Sequence, residues 1–241
     1  LLIPKMHPNV KIFSGTGSQY LAKEIALKFG EPLGKINIQK FSDGEIGVEY
    51  QERIRGQFVF LVQSTFAPTD NLMELLQMFD APQRALPYKV IAVIPYCGYA
   101  RQDRKDKHRV AIGSKLVANM LTAAGTDRVI TMDLHAPQIQ GYFDIPVDHL
   151  DSSAIFIPYI EKLDLPNLTF AAPYVGSANR IREIASYFEV EMVICDKHRK
   201  RANEIASMVV IVDVTDKDIV LIDDICDTGG TMAKSAGLVM E

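Results

Sequence analysis

The chain has 241 residues, 48% of them apolar and 23% charged, which is enough to bury a core and unlike a disordered, collagen-like or coiled-coil sequence. Its net charge of −4, from 26 basic and 30 acidic residues, excludes a surface built throughout for nucleic acid, so any anion site must be local. Cys97, Cys195 and Cys226 lack paired metal-ligand spacing, and no apolar run approaches the roughly 18 residues that span a bilayer. These features predict a cytoplasmic protein with no nucleic-acid and no membrane partner.

Short runs rich in Val and Ile alternate with amphipathic segments, the pattern of an α/β fold in which parallel strands are covered by helices. Strands are expected at 10–14, 58–63, 90–95 and 128–132, then at 168–172, 190–196, 208–214 and 219–222. Helices are expected at 18–29, 71–79, 114–124 and 177–188, and from Thr231 onward. In the segment 36–50, polar and apolar residues alternate around Ser42-Asp43-Gly44, which predicts an antiparallel hairpin closed by an Asp-Gly turn. The strand-helix series restarts after 149–165, so two similar α/β halves are expected, 1–150 and 151–241. The chain stops at Glu241, eleven residues after Gly230, and the second half is expected to be incomplete.

The most informative stretch is Ile219 to Thr231, where an apolar strand runs into Asp223, Asp224 and Asp227, then into Thr228-Gly229-Gly230-Thr231 at a helix start. Glycines let backbone N–H groups gather around an anion, and the first helical turn adds unpaired donors, so that half of the loop suits a phosphate. The neighbouring carboxylates would repel a bare phosphate and call for hydroxyl donors or Mg²⁺, and a sugar phosphate answers both demands. An acidic loop that merely caps a helix is the plainer reading, but adjacent like charges are costly without a ligand or a metal.

The run Arg101 to Arg109 carries five cations against two carboxylates directly after an apolar strand, where α/β proteins bind ligands, and suits a nucleotide polyphosphate, although taken alone a solvated loop is the plainer reading. A second basic run, Lys197 to Arg201, follows the strand EMVICD. Met132-Asp133-Leu134-His135 ends another strand and places a histidine at the same kind of edge, suited to a metal or phosphate role.

Together these segments resemble the ribose-phosphate pyrophosphokinase (phosphoribosyl pyrophosphate, PRPP, synthetase) family. The resemblance runs from about Val10 to the end and rests on FSDGEIGVEYQERIRG, NLMELL, AVIPYCGYARQDRK, TMDLHAPQIQGYFDIPVDHL, DKHRKRAN and VLIDDICDTGGT. It implies two phosphoribosyltransferase-type domains and a Mg²⁺-dependent transfer of the diphosphoryl group of ATP to the 1-hydroxyl of ribose 5-phosphate, giving PRPP and AMP. By resemblance, Phe41, Asp43, Gly44 and Glu45 belong to the ATP-binding flap, and Arg101 and Gln102 contact the nucleotide. His135 matches a Mg²⁺-linked histidine. Lys197 and Arg199 match the catalytic cations of a mobile loop, with Arg199 also near the sugar phosphate. Asp223 and Asp224 match the ribose-hydroxyl carboxylates, and Asp227, Thr228, Gly229, Gly230 and Thr231 the loop holding the 5-phosphate. The resemblance further implies dimers that assemble into hexamers, with the flap of one subunit completing its neighbour's ATP site.

Three positions depart from the family pattern. Tyr174 stands where aspartate is usual in the Mg²⁺ and diphosphate site, and Ser177 and Val212 stand where glycine is common. A phenol, with an ordinary pKa near 10, is a poor substitute for a hard anionic oxygen. Two readings therefore stand side by side: the pyrophosphokinase itself, or a weakened or non-catalytic regulatory homologue that keeps the fold. A base-using phosphoribosyltransferase would share VLIDDICDTGGT but would not need FSDGE or YARQDR.

Overall fold

The computed structural model describes residues 9–201, 204–210 and 213–240, with 196–210 described by backbone alone. The chain divides into two units, Leu1–Asp151 and Ser152–Glu241. In the first, β1 (Val10–Ser14) leads through a 3-10 turn at Thr16–Ser18 into α1 (Gln19–Phe29), which Gly30 ends at a φ of 86° by returning its N–H to Ala26 and Leu27. The hairpin β2 (Ile36–Lys40) and β3 (Ile46–Tyr50) follows, then β4 (Phe58–Val62), α2 (Asp70–Gln83), β5 (Lys89–Ile94), α3 (Gly113–Ala123), β6 (Arg128–Met132), a 3-10 segment at Pro137–Tyr142, and β7 (Val147–Leu150).

Five strands form a parallel sheet in the order β1-β4-β5-β6-β7. Because side chains alternate along a strand, neighbouring residues feed opposite layers. Phe13 and Leu61 join Leu75, Met78 and Phe79 of α2 and Val117 and Leu121 of α3, whereas Ile12 and Val62 pack with Ala22 and Ala26 of α1. The hairpin docks on the first of these layers: Tyr50 meets Phe13 edge to face at 4.7 Å and donates its hydroxyl to the Met78 carbonyl at 2.7 Å.

In the second unit, α4 (Ser153–Glu161) precedes β8 (Leu168–Ala172), a 3-10 turn at Val175–Ser177, α5 (Ala178–Tyr187), β9 (Met192–Arg201), β10 (Glu204–Val210), β11 (Asp218–Leu221) and α6 (Gly230–Met240). The sheet order is β10-β9-β8-β11, with β9, β8 and β11 parallel and β10 antiparallel. Phe170, Ile181, Ile184 and Ile222 are the centre of its core.

Three features differ from the sequence expectation. The strand expected to end at 196 continues to Arg201 and turns back as β10, so Lys197 and Arg199 lie on extended backbone opposite Met208 and Ile205 instead of in a loop. The reason is local: Ile205, Val209 and Val210 offer a β-prone partner that begins at Glu204, four residues before the expected start. Val212 lies outside the described residues. β7 and α4 were not expected, since Val147–Leu150 carries Asp148 and His149, and Pro158 reads as a helix breaker but sits inside α4.

A buried polar knot fixes the turn after β1. Glu74 of α2 is 4% exposed and accepts from the Thr16 N–H at 2.6 Å, the Thr16 hydroxyl at 2.7 Å and Gln63 Nε2 at 2.9 Å, while Gln63 Oε1 accepts from the Gly17 N–H at 3.0 Å. A Cβ at Gly15 would come within 2.5 Å of the Gln63 amide, so the turn is glycine because the knot leaves no room. Removing a buried charged acceptor strands several donors at once. Glu74→Ala should lower the unfolding free energy by about 3 kcal/mol in denaturant titration; a loss below about 1 kcal/mol would show that the knot does not hold the turn.

Candidate active site

In parallel sheets, loops at the carboxyl ends of adjacent strands meet along one edge. In the second unit β8 and β11 are neighbours, with Ala171 opposite Leu221. That register brings Tyr174, just past β8, to Asp223 and Asp224, just past β11. The Tyr174 hydroxyl lies 3.0 Å from Asp223 Oδ1 and 3.3 Å from Asp224 Oδ1. Asp223 Oδ1 also accepts the Asp224 N–H at 3.0 Å. The Ser177 hydroxyl donates to the Tyr174 carbonyl at 2.8 Å, and the tyrosine ring lies so close to Gly176 that a Cβ there would be 2.9 Å from it.

The electrostatics follow from crowding. Desolvation, then the Asp224 carboxylate, pushes the Asp223 carboxyl up to about 6. Desolvation and the two aspartate charges drive the Tyr174 phenol upward, so it stays a protonated donor at any physiological pH. A raised Asp223 binds its proton more tightly folded than unfolded, so the pair subtracts from stability as pH rises from about 4 to about 6.

Directly after the pair, Gly229 turns the chain at a φ of 71° and α6 begins at Gly230. The Gly230 N–H reaches the Thr228 hydroxyl at 3.4 Å and Ala233 N–H bonds Gly229 O at 2.9 Å, which starts the helix. Asp227, Thr228 and Gly230 are exposed at the N-terminal end of α6.

In the first unit, the loop 101–109 joins β5 to α3 and His135 follows β6, the strand beside β5. The Gln102 carbonyl accepts from the Ser114 hydroxyl at 2.9 Å and the Ser114 N–H at 3.2 Å, and its side-chain oxygen would sit 2.5 Å from a Cβ at Gly113. Asp103 is 3% exposed, pairs with Arg104 at 3.3 Å and accepts from Gln138 Nε2 at 3.5 Å, and its carbonyl takes the Tyr142 hydroxyl. Asp103 thus ties the Arg101-Gln102 loop to the segment after His135. His149 of β7 accepts the Leu134 N–H at its Nε2 at 2.9 Å, which fixes the turn that presents His135. Sequence reading missed Asp103 as a tether and His149 as a brace; the R-Q-D-R run contained the first, and nothing in the sequence marked the second.

On the hairpin, Phe41 and Glu45 close the turn by a 2.8 Å backbone bond, Gly44 takes a φ of 97°, and Asp43 Oδ1 accepts the Glu45 N–H at 3.1 Å. Phe41 lies over Gly47, where a Cβ would be 2.9 Å from the ring. The structure therefore joins Tyr174, Asp223 and Asp224 directly and sets Arg101, Gln102 and His135 along one sheet edge. It leaves Phe41, Asp43, Gly44 and Glu45 on a hairpin of their own, and Lys197 and Arg199 on β9. Among the described residues no group of three His, Cys, Asp or Glu side chains is placed to hold a metal alone.

Residues 10–125 match the family model for the N-terminal domain of ribose phosphate pyrophosphokinase, and residues 151–241 that for the phosphoribosyl transferase domain. The ribose-phosphate pyrophosphokinase of Porphyromonas gingivalis is 57% identical over 234 residues, 97% of this chain and 75% of that protein. That of Chlorobaculum tepidum is 52% identical over 98% of this chain and 73% of its own. The crystal structure of phosphoribosylpyrophosphate synthetase from Mycobacterium smegmatis superposes with a TM-score of 0.89 at 35% identity, covering 96% of this chain and 76% of that one. By sequence and by fold, the chain belongs to the ribose-phosphate pyrophosphokinase family.

Proposed function

We propose that the protein transfers the diphosphoryl group of ATP to the 1-hydroxyl of ribose 5-phosphate, releasing PRPP and AMP for nucleotide biosynthesis. The observation that carries this reading is the Asp223-Asp224 pair running straight into the glycine loop at the start of α6. Carboxylates that already accept a hydroxyl are suited to a sugar's hydroxyls, and the amides three to seven residues on are suited to its phosphate.

Diphosphoryl transfer needs little covalent help and much positioning and charge neutralisation. Asp223 and Asp224 would orient the sugar, and the 227–231 loop would anchor its phosphate. Arg101 and Gln102 on the loop braced by Asp103, with Phe41, Asp43, Gly44 and Glu45 of the hairpin, would hold the nucleotide. Lys197 and Arg199 would neutralise charge on the moving phosphates. The donor chemistry fits Mg²⁺ carried on ATP, because that metal keeps phosphate oxygens and waters as ligands and needs few protein groups instead of an all-protein cage. His135 would hold it; when bound it supplies charge neutralisation across the polyphosphate.

We place the protein in the cytoplasm as a homo-oligomer, dimers building a hexamer. Free Cys97, Cys195 and Cys226 suit a reducing compartment, and exposed Tyr20, Leu27 and Phe29 of α1 supply apolar surface for a subunit contact. Among the described residues no helix is long and apolar enough to cross a membrane. The hydrogen bonds of Tyr174 to both aspartates favour one second reading, a family member of reduced turnover that serves a partner subunit.

Incubation with ATP, Mg²⁺ and ribose 5-phosphate should give AMP and PRPP in equal amounts. ADP as product would contradict diphosphoryl transfer, and no product would favour the second reading. Lys197→Ala should keep ribose 5-phosphate binding in calorimetry while lowering turnover by on the order of 100-fold or more; turnover near that of the unaltered protein would remove Lys197 as the main catalytic cation.

A further inference from the structure

We propose that the Tyr174 hydroxyl is a built-in competitor for the sugar's vicinal diol, a displaceable cap on Asp223 and Asp224 that sets the affinity for ribose 5-phosphate. The inference rests on the diol-binding reading of that pair given above. Its first ground is occupancy. Asp223 Oδ1 accepts the phenol at 3.0 Å and the Asp224 N–H at 3.0 Å, which fills both lone pairs of that oxygen. A sugar hydroxyl reaches it only by replacing the phenol. The same phenol oxygen lies 3.3 Å from Asp224 Oδ1, so one side chain covers the facing edges of both carboxylates.

The second ground is donor arithmetic. A phenol has one proton and can fully satisfy one carboxylate oxygen at a time, whereas a vicinal diol brings two. Exchange therefore gains a donor, which makes the cap reversible instead of a permanent block. The third ground is freedom to move. Tyr174 is only partly buried, its ring rests against Gly176, which has no side chain to trap it, and the following Val175 is exposed. The backbone stays in place during such a swing because Ser177 holds the Tyr174 carbonyl at 2.8 Å.

The cap also relieves the protein when no sugar is bound. Two adjacent half-buried carboxylates repel, and a hydroxyl shared between them is a neutral way to offset part of that repulsion. Affinity and stability should therefore move in opposite directions when the hydroxyl is removed. This separates a competitor from a residue that merely shapes the pocket.

The test is calorimetric binding of ribose 5-phosphate and, separately, of inorganic phosphate to the full chain and to Tyr174→Phe, with thermal unfolding of each. Tyr174→Phe should bind ribose 5-phosphate about tenfold more tightly, bind inorganic phosphate unchanged, and unfold at a lower temperature. Tyr174→Leu, which also lacks the hydroxyl, should show the same gain and serves if the phenylalanine variant does not fold. Ribose 5-phosphate affinity that is unchanged or weaker in the folded variants overturns the proposal, because the hydroxyl would then be neutral or part of the sugar site. Failure of the unaltered chain and both variants to bind ribose 5-phosphate at all would overturn the diol reading itself, and the proposal with it.

Discussion

Two carboxylates side by side at the end of a half-buried strand resist desolvation and repel each other, and the chemistry of the second unit turns on how that repulsion is met. Asp223 and Asp224 occupy such a place, and burial with mutual charge holds the Asp223 carboxyl near 6. The register of β8 against β11 delivers the Tyr174 phenol as the relieving donor. The same constraint explains why the chain runs at once into the Thr-Gly-Gly-Thr loop: hydroxyl acceptors and phosphate donors have to lie within one sugar's length.

The first unit solves a different problem, that of holding loops still. Its β1 turn is clamped through Glu74 and Gln63, and its cationic loop is moored through Asp103 to Gln138 and Tyr142. These are bonds to backbone or to buried acceptors, so each fixes a turn and not merely a side chain. The polyphosphate binding proposed for that loop would gain from such preorganisation, since cations on a moored loop lose less freedom when they meet the anion.

Much of this could be read from the sequence where the signal is local. The Ser42-Asp43-Gly44 turn predicted the hairpin, and the apolar runs predicted the buried strands, because turn chemistry and side-chain alternation act over a few residues. The Thr-Gly-Gly-Thr stretch predicted the start of α6 for the same reason. What could not be read depends on which strands become neighbours. Tyr174 and Asp223 are 49 positions apart, and only the β8-β11 pairing makes them partners. His149 and Leu134 meet through the β6-β7 pairing, and Asp103 meets Gln138 across 35 positions. The helix α4 was hidden by Pro158, and the length of β9 by a basic run that reads as solvated loop until a partner strand is supplied.

In the proposed reaction the Asp223-Asp224 pair receives the sugar and not the nucleotide. Calorimetric titration of Asp223→Asn with ribose 5-phosphate and with ATP, in parallel with the unaltered protein, tests it most directly. Ribose 5-phosphate affinity should fall by about tenfold or more while ATP affinity holds, since a charged acceptor has been replaced by a weaker one. Equal loss for both ligands, or full retention of sugar affinity, would contradict it.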